Sequence, residues 1–140
     1  MQMQQKMRVE KQVISKARWL YVILGLMIMM ALGTVYSWSV FRLPVEVLYD
    51  VGTAQSGLPY MTALLFYSLF MFLTGRFFKD WSPRKTILTG TLLVSVGWIL
   101  SAFAPNIQTL TIAYGVISGA GVGIAYGATL TVVTRWFPAT

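Results

Sequence analysis

The sequence contains no cysteine and no histidine. These absences exclude a disulfide framework and the usual zinc and haem sites. Charge is also scarce, since Asp, Glu, Lys and Arg make up 11% of the chain against about 25% in an ordinary globular domain. The carboxylates Glu10, Glu46, Asp50 and Asp80 are scattered over different connections. No acid–base pair can be assembled from them, so the expectation is a protein that is not an enzyme and that carries no cofactor and no metal.

Apolar residues fill the space, at 56% before glycine is counted, with a mean hydropathy of +0.67. A soluble fold of this length has too little polar surface to cover them. They fall in four runs. Trp19 to Phe41 contains no charged residue and as a helix measures about 34 Å, enough to cross a hydrocarbon core of about 30 Å. The second run covers 59–75, with Ser56 as a candidate cap and Pro59 in the first turn, where its missing N–H costs no bond. The third, 86–103, opens behind Ser82-Pro83 and stops at Ala104-Pro105-Asn106; the fourth, 110–133, ends before Arg135. All four should be helices, because a lone strand in lipid leaves its backbone groups unpaired. The expected fold is an all-α membrane protein of four transmembrane helices: a basic leader at 1–18, the four-helix portion at 19–133 and a tail at 134–140.

The net charge of +7 points to the membrane rather than to nucleic acid, because the basic residues sit before and between the runs. Ten of the eleven fall on one side: Lys6, Arg8, Lys11, Lys16 and Arg18 in the leader, Arg76, Lys79, Arg84 and Lys85 between runs two and three, and Arg135 in the tail. Only Arg42 lies opposite. The positive-inside bias then places both termini in the cytoplasm, with Arg42 to Gly57 and Ala104 to Thr109 outside, in a cell membrane. A cleaved signal peptide is a poor alternative, because the first run is too long for an h-region and has no A-x-A site, so it should stay as an anchor.

No charged side chain lies inside any run, so neither a proton relay nor a charged-substrate site is visible. The fourth run carries Gly115, Gly119, Gly123 and Gly127 at steps of four. Such a stripe lets a neighbouring backbone approach closely. Packing inside the bundle, against the first helix, is the expectation, with a dimerisation face or a flexible gating helix as alternatives; residues larger than alanine should force the helices apart. Thr34, Tyr36, Ser37, Trp38 and Ser39 gather at the outer end of the first run, and Tyr126 lies deep in the fourth. Trp38 suits an interfacial belt, whereas the hydroxyls of Tyr36 and Tyr126 need a helix or a cavity to face.

The connection Gly75-Arg76-Phe77-Phe78-Lys79-Asp80-Trp81-Ser82-Pro83-Arg84-Lys85 resembles the cytoplasmic signature between helices two and three of the major facilitator superfamily. Gly75, Arg84 and Lys85 match, while Lys79 stands where the acid is expected, Asp80 follows one place later, and Ser82 replaces a glycine. Ala31 to Phe41, together with the fourth-run glycines and Arg135-Trp136-Phe137-Pro138, resembles the oxalate/formate antiporter family within that superfamily.

The resemblance implies the first part of a twelve-helix fold, in a carrier that works by alternating access around a midplane site. It implies that helices one and four line the central cavity, making Tyr36, Tyr126 and, less directly, Trp38 candidate substrate contacts. Gly75, Asp80, Arg84 and Lys85 would be the cytoplasmic signature. The implied function is the N-terminal portion of a secondary active transporter for small carboxylates such as oxalate or formate, inactive alone and completed by the remainder of the carrier, with a truncated tail. The alternative is a complete four-helix membrane protein acting as a non-transport packing partner or subunit.

Overall fold

The computed structural model describes residues 2–77 and 80–137, with backbone alone at 9–15 and 136. Lys79 and the tail residues Pro138 to Thr140 lie outside the described residues. In chain order the elements are α1 (Gln2–Leu32), a 3-10 turn (Gly33–Ser37), α2 (Trp38–Tyr49), α3 (Thr53–Ser56), α4 (Leu58–Phe77), α5 (Pro83–Ala102), α6 (Ile107–Leu110), a π-helical stretch (Thr111–Ser118) and α7 (Gly119–Trp136). They make four rods long and apolar enough to cross a membrane, Lys16–Tyr49, Thr53–Phe77, Pro83–Ala102 and Ile107–Arg135. The chain is an all-α, multi-pass membrane protein.

The first rod is longer than the apolar run. Helix continues past Phe41 through Tyr49, where the sequence reading placed a connection, because Arg42 and Glu46 are spaced i,i+4 and form an ion pair of 3.2 Å that suits a helix. Asp50 ends α2 in the left-handed region at φ 50°, a conformation that a short polar side chain tolerates. About 20 residues suffice to span the hydrocarbon, so the charged Arg42–Tyr49 end stands beyond it. Ser56 is not the cap of the second rod. It lies within α3, buried, with its hydroxyl 2.7 Å from Glu46 Oε1 and 2.9 Å from the Thr53 carbonyl. At α5 the proline does sit in the first turn, yet the Ser82 hydroxyl makes no capping bond.

The fourth rod is the core. Of its apolar window 61% is buried within the protein, against 17% for each of the other three. Glycine decides this position, but the partner differs from the expected first helix. A Cβ on Gly115 would meet Thr62 and Pro59, one on Gly119 would meet Ala63, one on Gly123 the Tyr67 carbonyl, and one on Gly127 Thr74. All of these residues belong to α4. The contacts are also tighter than the sequence suggests: at Gly119 the Cβ would stand 2.7 Å from backbone oxygen, so even alanine requires a shift. Gly121 meets Gly90 and Val94 of α5 from the other flank, and Gly97 meets Ala113 and Ser118. Two rods thus close on the fourth through backbone-to-backbone packing, which is the source of helix association where lipid offers no hydrophobic gain. α1 touches this core more lightly, through Gly25 against Thr129 and Val133.

Hydroxyls inside the rods mostly bond back to their own helix, as Ser68 to Leu64, Thr74 to Phe70 and Thr129 to Ala125. This leaves few polar groups free for a site. At the Arg42 end, Trp38 donates its indole N–H to the Ser56 carbonyl at 3.0 Å and Tyr49 its hydroxyl to the Ala104 carbonyl at 2.8 Å. These bonds tie the first rod to the second and to the link before the fourth.

Candidate functional site

Between rods one, two and four lies a cavity of about 150 Å³, lined by Val35, Tyr36, Leu64, Tyr67, Val122 and Tyr126 among others. Tyr36 comes from the 3-10 turn, Tyr67 from α4 and Tyr126 from α7. The ring of Tyr67 stands edge-on to that of Tyr126, with centroids 5.6 Å apart. Tyr36 lines the same cavity from the first rod. Three phenols therefore meet in an otherwise apolar wall.

A phenol can donate one hydrogen bond and accept others, so this wall can offer donors to an anionic oxygen without itself carrying charge. Among the described residues no Lys or Arg lines the cavity. Any net positive charge for an anion has to come from outside this wall.

The placement of Tyr67 follows from Gly123. Without a Cβ, α7 reaches the Tyr67 carbonyl, and three residues further along Tyr126 then meets the Tyr67 ring. Sequence reasoning missed Tyr67. Its only signal is the polar pair Tyr67-Ser68 in mid-span, and Ser68 is explained by its bond to Leu64.

Trp38 lies apart from this wall. It is buried, its ring centroid 4.6 Å from that of Tyr114, and it faces a second, apolar cavity of about 260 Å³ with Phe41, Trp98 and Leu110. The glycines Gly115, Gly119, Gly123 and Gly127 make helix contacts and line neither cavity. At the opposite end of the bundle, Gly75 lies in the last turn of α4 with open space at its Cα, and Arg84 and Lys85 are exposed in the first turn of α5. Among the described residues Asp80 pairs with neither Arg76 nor Arg84. Gly75 and Arg135 line a small cleft with Trp81 and Pro83 there.

Comparison with known proteins matches residues 19–140 to the Major Facilitator Superfamily. The chain is 30% identical to the oxalate:formate antiporter of Oxalobacter formigenes, over 86% of its own length and 29% of the antiporter's. It is 26% identical to an uncharacterized transporter of the superfamily type from Escherichia coli, over 88% of its length and 31% of that protein's. Over 45% of its length it is 43% identical to mouse monocarboxylate transporter 14, of which it covers 12%. The chain thus spans less than a third of each of these relatives. With four membrane-length rods, three of them packed around the fourth, and a family match over nearly all of them, the chain belongs to the major facilitator superfamily.

Proposed function

We propose that the chain forms the first four spans of a secondary carrier for small carboxylates, oxalate or formate among them, in which Tyr36, Tyr67 and Tyr126 line the substrate path. The observation that carries this reading is the cavity itself: phenols from three different rods converge in a wall that is otherwise apolar. The names of the relatives, an oxalate:formate antiporter and a monocarboxylate transporter, support an anion as cargo. Transport rather than catalysis fits a cavity with hydroxyl donors and no paired acid and base. Both termini are cytoplasmic in this reading, the basic Arg76 to Lys85 end facing inward.

Alternating access then moves rods one, two and four against a second bundle that supplies the compensating positive charge. The four spans alone bind such an anion too weakly to carry it. The test is a carrier completed by grafting residues 19–137 in place of the matched segment of the Oxalobacter antiporter. A monodisperse graft in proteoliposomes should take up oxalate or formate saturably, and Tyr126→Phe should weaken that uptake. A folded graft that transports neither anion contradicts the proposal.

A further inference from the structure

Rods one and four both depart from α winding at the same level. The first is overwound into a 3-10 turn at Gly33–Ser37, and the fourth is underwound into π turns at Thr111–Ser118. Such mid-rod changes of winding often mark hinges or functional positions. Here they touch. Tyr114, within the π stretch and 3% exposed, points its hydroxyl at the Val35 carbonyl within the 3-10 turn, at a long 3.4 Å. Its ring packs on Trp38, which follows that turn, and edge-on against Trp98 of α5 at 5.6 Å.

The Gly119 N–H points at the Tyr114 carbonyl, in the i to i−5 pattern. Ser118, whose hydroxyl in α winding could bond back to that carbonyl as its counterparts do elsewhere in the rods, is 1% exposed and has no hydrogen-bond partner. An orphaned buried hydroxyl is unfavourable, so tertiary contact has to maintain the underwound register. Gly115 against α4 and Gly97 against Ser118 supply part of that contact, and Tyr114 supplies the part that reaches rod one, through Val35 and Trp38. The apolar cavity beside Trp38 and Tyr114 leaves room for α2 to move when it is lost.

We infer that Tyr114 is a positioning residue: the π winding carries its side chain to the 3-10 turn, and there it sets the place of Tyr36, the next residue after Val35, in the wall of the tyrosine cavity. Tyr114 itself does not line that cavity. Its effect on cargo runs through Tyr36 and rests on the carrier reading above.

The test uses the chain in lipid nanodiscs, with Ser37→Cys as the only cysteine and a trifluoromethyl tag read by fluorine NMR. Ser37 is exposed, so the tag reports the turn without displacing Tyr36. The parent should give one resonance. Tyr114→Phe keeps the ring and loses the hydroxyl, and should split or exchange-broaden that resonance; one sharp, unshifted resonance from a folded Tyr114→Phe overturns the inference. Ser118→Ala supplies a second variant if Tyr114→Phe does not fold. It removes the orphaned hydroxyl, so the resonance should stay single and the melting temperature should rise, whereas splitting or a lower melting temperature contradicts the inference. In the completed carrier Tyr114→Phe should raise KM about three- to tenfold with kcat kept, as expected for one hydrogen bond. An unchanged KM in a carrier that does transport overturns the positioning role. A parent carrier that transports no carboxylate overturns the proposed function instead and leaves the resonance result standing.

Discussion

Tyr67 and Tyr126 stand edge-on, 5.6 Å between ring centroids, because α4 and α7 approach each other backbone to backbone at Gly123. The helix contact and the cavity wall are therefore one construction. A residue that widens the helix separation should also disturb the phenols.

The glycines are not equivalent. At Gly123 a Cβ would collide with the Tyr67 carbonyl, whereas at Gly127 the nearest atom would be 3.3 Å away, on the Thr74 side chain. Gly123→Ala should cost about 1–3 kcal/mol by overpacking. Gly127→Ala should be close to neutral, as the gain in helix propensity, up to about 1 kcal/mol, offsets a small adjustment of Thr74. Thermal unfolding in detergent checks the contrast; equal melting temperatures for the two variants would show that α7 does not approach α4 in this way.

Number and type of the spans were legible because each apolar run is long enough for one crossing and is bounded by proline or charge. The glycine stripe was legible as a close contact, but its partner was not: spacing within one helix says nothing about which neighbour it faces, and the neighbour proved to be α4. Tyr36 and Tyr126 stood out as hydroxyls in apolar runs. Their shared cavity depends on helix rotation, which low charge and near-uniform hydrophobicity leave unwritten. The extension of α2 through Tyr49 was hidden because Arg42 and Glu46 read as a connection until their pairing is seen. The π and 3-10 windings have no local signal, since contact between the rods maintains them.

Trp38 should matter for the joint between rods one and two. Trp38→Phe removes the indole bond to the Ser56 carbonyl while leaving a ring to pack on Tyr114, and should lower stability by about 0.5–1.5 kcal/mol. A melting temperature equal to the parent's would mean that water replaces the bond at no cost.

The Glu46 carboxyl is held below its ordinary value of 4.5, first by the Ser56 hydroxyl and then by Arg42, with desolvation opposing. A carboxylate with a depressed folded pKa stabilises the fold fully above its unfolded value and loses that contribution as pH falls through the folded one. The parent should therefore lose more thermal stability between pH 7 and about pH 3 than Glu46→Gln does. Identical losses in the two proteins would place Glu46 outside the stabilising network.

The absence of cysteine lets topology be read by single substitutions. Asn106→Cys should react with a membrane-impermeant maleimide from outside and Ser82→Cys only from the cytoplasmic side. The reverse pattern would invert the proposed orientation.

Affinity in a carrier completed with this chain tests the central claim, that the tyrosine wall is the cargo path, most directly. Tyr126→Phe deletes one donor from the wall and leaves the ring edge-on to Tyr67, so folded yield should hold. The KM for oxalate or formate should rise about three- to tenfold, the effect of one lost hydrogen bond. An unchanged KM with unchanged yield would place the anion elsewhere and contradict the account.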